Sequence, residues 1–247
     1  FSVFRALQSA EEAIAVVVER ASEAFLKGGR IIYVGAGTSG RVATMDAAEM
    51  PPTFGVGPDR FIALIAGGAS AGGTAVEDAE DDAHAAVAVL NDIEITTDDI
   101  LIGIAASGTT PFVVAAVRHA RQKGTWTCGI ANNRNTPLLQ VADQPIFLDT
   151  GPEVLTGSTR LKAGTSQKLV LNRISTGAMI LSGKVIENLM VDVKAKNTKL
   201  KERCVRIVCE LTAATQDEAR DLLEANDWSI RAVLSEVENQ TTVAWPS

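Results

Sequence analysis

Five short apolar runs, separated by stretches with helical spacing, constrain the fold of this chain more than any other feature. The runs fall at 30–34, 60–66, 100–105, 125–130 and 145–148, and the helical stretches between them at about 40–50, 74–90, 111–123 and 136–142. A run that is apolar at nearly every position suits a strand covered on both faces, and strands alternating with helices give βαβ units. The expected fold is therefore α/β, a five-stranded parallel sheet between two layers of helices. Aromatic residues are only 4% of the chain while apolar residues make up 46%, so Val, Ile, Leu and Ala must build the core. Those are the residues that buried parallel sheets use.

The sheet region is flanked by helices. Residues 4–27 carry helical spacing through Ala10, Ile14, Val17, Val18, Ala21 and Phe25, and Gly28-Gly29 ends that helix. After the fifth run comes Gly151-Pro152-Glu153, then a long helical pattern from Lys162 to Leu181, broken at Gly183. From about 197 to 234 the pattern is helical throughout, with Thr215 to Glu218 spaced as a capping box. This organisation gives a first domain over 21–184 and a small helical module over 197–240.

Charge and cysteine usage argue against several function classes. The net charge is −7 and the 23 basic residues form no long run, which disfavours nucleic acid or an anionic membrane as partner. Cys128, Cys204 and Cys209 are odd in number with no CxxC pair, and neither histidine stands at ligand spacing from a cysteine. A disulfide framework and a structural zinc site are both disfavoured. With no signal peptide and no bilayer-length apolar run, the chain reads as cytoplasmic.

Two loops carry candidate chemistry. The first apolar run leads into Gly35-Ala36-Gly37-Thr38-Ser39-Gly40-Arg41, a G-x-G-x-x-G pattern between strand and helix. A dinucleotide site would also need a carboxylate ending the second strand, and that strand ends Leu64-Ile65-Ala66-Gly67-Gly68. Hydroxyls at Thr38 and Ser39 beside free helix N–H groups suit one compact anion instead. The third run leads into Ala105-Ala106-Ser107-Gly108-Thr109-Thr110-Pro111, again with hydroxyls ahead of a helix start. Ordinary N-capping explains either loop alone. Two of them at the carboxyl ends of neighbouring strands favour a sugar-phosphate site.

Two carboxylates stand out. Glu49 precedes Met50-Pro51-Pro52, and prolines commonly end a helix, which would set Glu49 at the negative end of the dipole. Such a position favours the protonated form a general acid needs, although a solvated surface glutamate explains Glu49 equally well. In the predicted helix over 74–90, Thr74 to Glu77 reads as a capping box, and Val76, Ala79, Ala83, Ala86, Val87 and Leu90 form the apolar stripe. Asp78, Asp81 and Asp82 fall outside the stripe and Glu80 falls inside it, a costly place unless it is paired, protonated or facing a cavity. The run Gly157-Ser158-Thr159-Arg160-Leu161-Lys162 offers hydroxyls and cations at a helix start, with Ser158 and Lys162 the candidates, and a solvated cap is the alternative. His84 is expected to be exposed, and Asn132-Asn133 to be turn chemistry.

The runs IIYVGAGTSGR, DAAEMPPTFGV, AVEDAEDD, GIAASGTTP, GPEVLTGSTRLKAGTSQKLVLN, STGAMI and NLMVDVKAKNTKL resemble the N-acetylmuramic acid 6-phosphate etherases. That family carries a SIS (sugar isomerase) domain and is related to the glucokinase regulatory protein. The resemblance extends from about residue 25 to 240; the long GPEV run is its most specific part, whereas GAGTSG alone is weak. It implies a SIS-type three-layer sandwich with a C-terminal UBA-like helical module. The implied reaction removes D-lactate from the phosphorylated sugar by elimination and hydration, with no metal or cofactor. It implies Glu49 and Glu80 as the catalytic pair, Glu49 the acid and Glu80 the C2 base. It also implies a sugar-phosphate site over Gly37, Thr38, Ser39, Ser107, Gly108, Thr109, Thr110, Ser158 and Lys162, and a homodimer.

The chain departs from the family pattern at several points. Thr109 stands where the loop commonly has arginine, Met50 replaces a frequent cysteine, and Ala131 to Arg134 replaces a run like SCNPGS. Two rivals share the fold expectation: a sugar-phosphate sensor like the glucokinase regulatory protein, which has tandem SIS domains, and a phosphosugar aldose–ketose isomerase. The chain has room for one such domain, against the sensor, and the isomerase would not account for the GPEVLTGSTRLKAGT run.

Overall fold

Strands β1 (Ile31–Gly35), β3 (Ile100–Ile104) and β4 (Trp126–Ala131) are buried at nearly every position, while β2 (Phe61–Ile65) and β5 (Gln144–Phe147) are only partly covered. The difference is one of place. In this computed structural model the strands pair in the order β2-β1-β3-β4-β5, all parallel, so the fully buried strands lie in the middle and the partly covered ones at the edges. The structure describes residues 1–73, 76, 78–195 and 197–242. Among them the chain divides into two compact units, Phe1–Glu49 with Gly57–Ser182, and Met50–Val56 with the residues from Gly183 onward.

In the first unit helices cover both faces of the sheet, as expected. Leu101, Ile32 and Val34 pack with Leu90 of α4 (Ala83–Asp92), with Phe112, Val113 and Val117 of α5 (Pro111–Gln122), and with Leu138 of α6 (Pro137–Val141). On the other face Tyr33 donates to Asp46 of α3 (Gly37–Phe54) at 2.9 Å, and Ser175 of α7 (Lys162–Leu181) donates to the same carboxylate at 3.2 Å. Burial pushes the Asp46 carboxyl above the usual range, against those hydrogen bonds and the charge of Lys168. The predicted N-terminal helix is two, α1 (Ser2–Ser9) and α2 (Glu11–Leu26), parted at Ala10.

The start of the sheet is held by one ion pair. Asp99 accepts from the backbone N–H and the Nε of Arg30 at 2.8 and 3.0 Å through one oxygen. Its other oxygen accepts from Arg30 Nη2 at 2.7 Å and from the N–H and hydroxyl of Thr96 at 2.9 and 3.1 Å. Burial alone would raise the Asp99 pKa, but these hydrogen bonds hold it below the ordinary value.

Two local expectations fail. Pro51 and Pro52 do not end α3, which runs on to Phe54. Met50 and Phe54 are both buried, at 2% and 5% exposure, and a further turn of helix sets them on one face. That burial outweighs the hydrogen bonds the prolines remove. Among the described residues the helical pattern over 74–90 is realised from Ala83, after a 3-10 turn at Ala79–Asp81. Asp82 caps α4, accepting from the N–H groups of His84 and Ala85 at 3.0 and 2.9 Å. A strong N-cap lets the helix start there, and starting later avoids stacking Asp78 and Asp82 as like charges one turn apart. Thr74 and Glu77, the predicted capping box, lie outside the described residues.

The second unit contains a short hairpin of β6 (Val185–Ile186) and β7 (Leu189–Met190), which the sequence pattern had not suggested, and helices α8 (Thr198–Thr212), α9 (Gln216–Ala225) and α10 (Ile230–Thr242). The Thr215–Glu218 capping box forms as its spacing predicts. No helix among the described residues is long and apolar enough to cross a membrane.

Candidate active site

The strand order places the two hydroxyl loops side by side. The chain leaves β1 to pair β2 on one side and later returns to pair β3 on the other, so the sheet's direction of winding reverses between β1 and β3. At such a switch point the loops leaving the two strands open a crevice beyond their carboxyl ends. The first loop holds Gly37 at φ +51, and Gly37 opens α3. A Cβ on Gly164 would sit 3.0 Å from Thr38 Cγ2, so the absence of a side chain there lets the first turn of α7 lie close to this loop.

Ser39 behaves differently from the expectation that it presents its hydroxyl to a ligand. It is 7% exposed and donates inward to Gln167 Oε1 at 2.8 Å. Gln167 in turn donates to Asn132 Oδ1 at 3.0 Å, and Asn132 donates to Ser166 Oγ at 3.0 Å and to the Leu148 carbonyl at 3.1 Å. This buried chain joins the first loop, α7 and the ends of β4 and β5. Asn132 is thus more than turn chemistry. Its partners lie far away in sequence, which no local spacing could have signalled.

The second loop leaves its hydroxyls toward solvent. Ser107 and Thr109 are exposed, and Thr110 is the N-cap of α5 without making a side-chain cap bond. Ser107 Oγ accepts from Thr109 N–H at 3.2 Å and lies 3.4 Å from Thr110 Oγ1. Gly108 sits at φ +69, and a Cβ there would fall 2.2 Å from Thr136 Oγ1, so this bend admits only glycine without displacement. The N-capping alternative therefore fails for this loop: its hydroxyls do not spend themselves on the helix.

The two carboxylates occupy different places. Glu80 is exposed in the 3-10 turn, not on a buried helical stripe, because α4 starts only after it. It nevertheless lines a cavity of about 390 Å³ with Gly37, Arg41, Ala71, Val76 and Asp78. The structure thus brings Glu80 to the first loop. Glu49 is exposed and stands inside α3, so the helix-end placement that singled it out does not occur. Twelve residues of helix separate it from Gly37, roughly 18 Å along the axis, and it does not line that cavity.

The Ser158–Lys162 segment is also not a free cation at an open helix start. Glu153 caps α7, accepting from the N–H groups of Lys162 and Ala163 at 3.0 and 2.8 Å. Lys162 Nζ donates to the Pro152 carbonyl at 2.6 Å, and Ser158 is half-buried with its N–H on Leu155. A carboxylate nine residues upstream satisfies this terminus, whereas sequence signatures of caps look only three residues away. Arg41, Gln167 and Glu153 are the site-forming residues that sequence reasoning missed.

Comparison with known proteins agrees with this architecture. Residues 11–121 match the glucokinase regulatory protein N-terminal SIS domain, and residues 74–173 match the SIS domain. Among solved structures, a phosphoheptose isomerase from Francisella tularensis aligns at TM-score 0.55 and 17% identity, covering 72% of this chain and 90% of that one. The Vibrio vulnificus NanR protein complexed with ManNAc-6P aligns at TM-score 0.52 and 18% identity, covering 74% of this chain and 62% of that one. These likenesses show the fold. N-acetylmuramic acid 6-phosphate etherase of Yersinia pestis (strain Pestoides F) is 50% identical over 222 residues, 90% of this chain and 75% of that protein. With half of its residues shared over nearly its whole length, and with the SIS sheet and both loops in place, the chain belongs to the N-acetylmuramic acid 6-phosphate etherase family.

Proposed function

We propose that this chain cleaves the D-lactyl ether of N-acetylmuramic acid 6-phosphate with water, giving N-acetylglucosamine 6-phosphate and D-lactate. The observation that carries the reading is the cavity beside the first loop, at the carboxyl ends of β1 and β2. It sets Glu80 against Gly37 in a chain half identical to etherases of that name. The 6-phosphate is received by the hydroxyls of Ser107, Thr109 and Thr110 and the free N–H groups at the start of α5, with Gly108 giving the bend. Gly37 and Thr38 form the facing wall. Ser39 supports that wall from inside, and Ser158 and Lys162 shape the rim beyond it.

In the open-chain sugar the ether oxygen on C3 is β to the C1 aldehyde, so the C2 proton is acidified. Glu80 removes that proton. The C2–H electron pair forms the C2–C3 double bond as the C3–O bond breaks, and Glu49 protonates the departing lactate oxygen. Water then adds at C3, with one carboxylate taking its proton while the other returns a proton to C2. These residues suffice for the proton traffic, and the reading assigns no metal or cofactor.

Glu49 lies too far along α3 to serve the same chain's cavity, so the reading includes a homodimer in which a second copy brings Glu49 to the site. Light scattering at micromolar concentration should give twice the monomer mass; a fully active monomer would contradict this. The reading further assigns 21–184 as the catalytic SIS domain, 197–240 as a UBA-like packing module, and a cytoplasmic place in the recovery of wall-derived amino sugars.

Release of D-lactate on incubation with the phosphorylated substrate tests the activity directly. A sensor would bind without release, and an isomerase would change the sugar without it. Ser107→Ala should raise KM by roughly tenfold with little change in kcat, the loss expected for one hydrogen bond to a charged group. An unchanged KM would remove Ser107 from the phosphate site.

A further inference from the structure

Arg41 is the cation among the residues lining the cavity that holds Glu80. It stands one turn into α3 and is half-buried. Its Nε donates to the carbonyl of Ala71 at 3.1 Å. Ala71 is the buried residue of an otherwise exposed stretch, 67–73, so this bond fixes the guanidinium against a stationary point. Both terminal nitrogens are left without a hydrogen-bond or ion-pair partner among the described residues. Asp78 and Glu80 line the same cavity, yet neither pairs with Arg41.

We propose that Arg41 binds the lactyl carboxylate of the substrate and thereby selects for an ether substituent that ends in a carboxylate. The assignment rests on the etherase reading, since that substrate carries two anions. The hydroxyls and helix N–H groups of the second loop match the tetrahedral phosphate, which leaves the carboxylate to be met elsewhere. A substrate carboxylate entering a cavity already lined by Asp78 and Glu80 is repelled unless a cation stands there. A guanidinium held through its Nε offers its two terminal nitrogens as a fork matched to the two oxygens of a carboxylate. The ether oxygen is bonded to the carbon that bears the carboxylate, so docking the carboxylate on Arg41 delivers the scissile bond to the wall formed by Glu80. Thr109 adds no competing cation at the second loop.

The test compares N-acetylmuramic acid 6-phosphate with its lactamide, in which a neutral carboxamide replaces the carboxylate. For Arg41→Gln, kcat/KM should fall roughly 10- to 100-fold on the carboxylate substrate and less than about threefold on the lactamide. Equal losses on both substrates would make Arg41 only an anchor for the 67–73 stretch and overturn the proposal. Arg41→Lys keeps the charge and loses the fork, so its preference for carboxylate over lactamide should drop severalfold below that of the unmodified protein. That variant carries the same comparison should the Gln form not fold, and an unchanged preference would likewise overturn the assignment. The unmodified protein is the separate control. Failure to release D-lactate sinks the etherase reading, whereas release accompanied by equal losses sinks the Arg41 assignment alone.

Discussion

Glu80→Gln should lower D-lactate release by roughly 10²- to 10⁴-fold and abolish exchange of the C2 hydrogen with solvent deuterium. Glutamine keeps the shape and cannot accept the proton, so both readouts fail together if Glu80 is the C2 base. Its placement supports the role: the 3-10 turn at Ala79–Asp81 holds it at the wall of the cavity beside Gly37, exposed enough to meet a substrate. Glu49→Gln should lose release by a similar factor but retain part of the exchange, because enolisation does not need the leaving-group acid. Proton NMR in deuterated buffer reads both variants. Exchange lost in Glu49→Gln and kept in Glu80→Gln reverses the roles, and full activity in either variant sinks the two-carboxylate mechanism.

Asp99→Ala should destabilise the first unit by about 3–5 kcal/mol, because it leaves the Thr96 donors unpaired and the Arg30 charge uncompensated, held only by the Ile93 and Glu94 carbonyls. The Asp99 side chain is 2% exposed against 23% for Arg30, so the carboxylate is shielded from water while its partner keeps an outlet. That outlet puts the expected loss at the lower end of the range. The pair also gives a pH signature. Since the folded-state pKa of Asp99 is depressed, its contribution is complete above the unfolded value of ~3.9 and is lost as pH falls through the folded value. Urea midpoints of the parent and Asp99→Ala should therefore converge in acid. A midpoint within error of the parent at neutral pH would show that the network contributes nothing net.

Much of the fold is legible in the chain because the relevant signal is local. The runs Ile31–Gly35 and Ile100–Ile104 are apolar at every position except a last or next-to-last glycine, which requires cover on both faces whatever surrounds them. The helix Lys162–Leu181 begins and ends where its periodicity does. The hydroxyl loops were recognisable because glycine, hydroxyl residues and a proline at a helix start each have a backbone reason to be there.

The candidate residues could be picked from the sequence, but their arrangement could not. Glu80 was singled out from a helical wheel that the structure does not contain, and it reaches the cavity by way of a 3-10 turn instead. Glu49 was singled out from a helix end that buried Met50 and Phe54 carry one turn further on. Arg41 gave no signal at all: a basic residue one turn into a helix is ordinary until the Ala71 carbonyl is found against it.

By itself the sequence determined the strand and helix order, the two hydroxyl-bearing loops and the family. Tertiary structure decided which groups are spent and which are free. Ser39 turned inward to Gln167 across 128 positions, Glu153 took the start of α7, and Arg41 kept two nitrogens open. The reason is that hydrophobic period and capping depend on neighbours a few residues away, while a hydrogen-bond partner is chosen only when the sheet brings distant segments within 3 Å or so of each other.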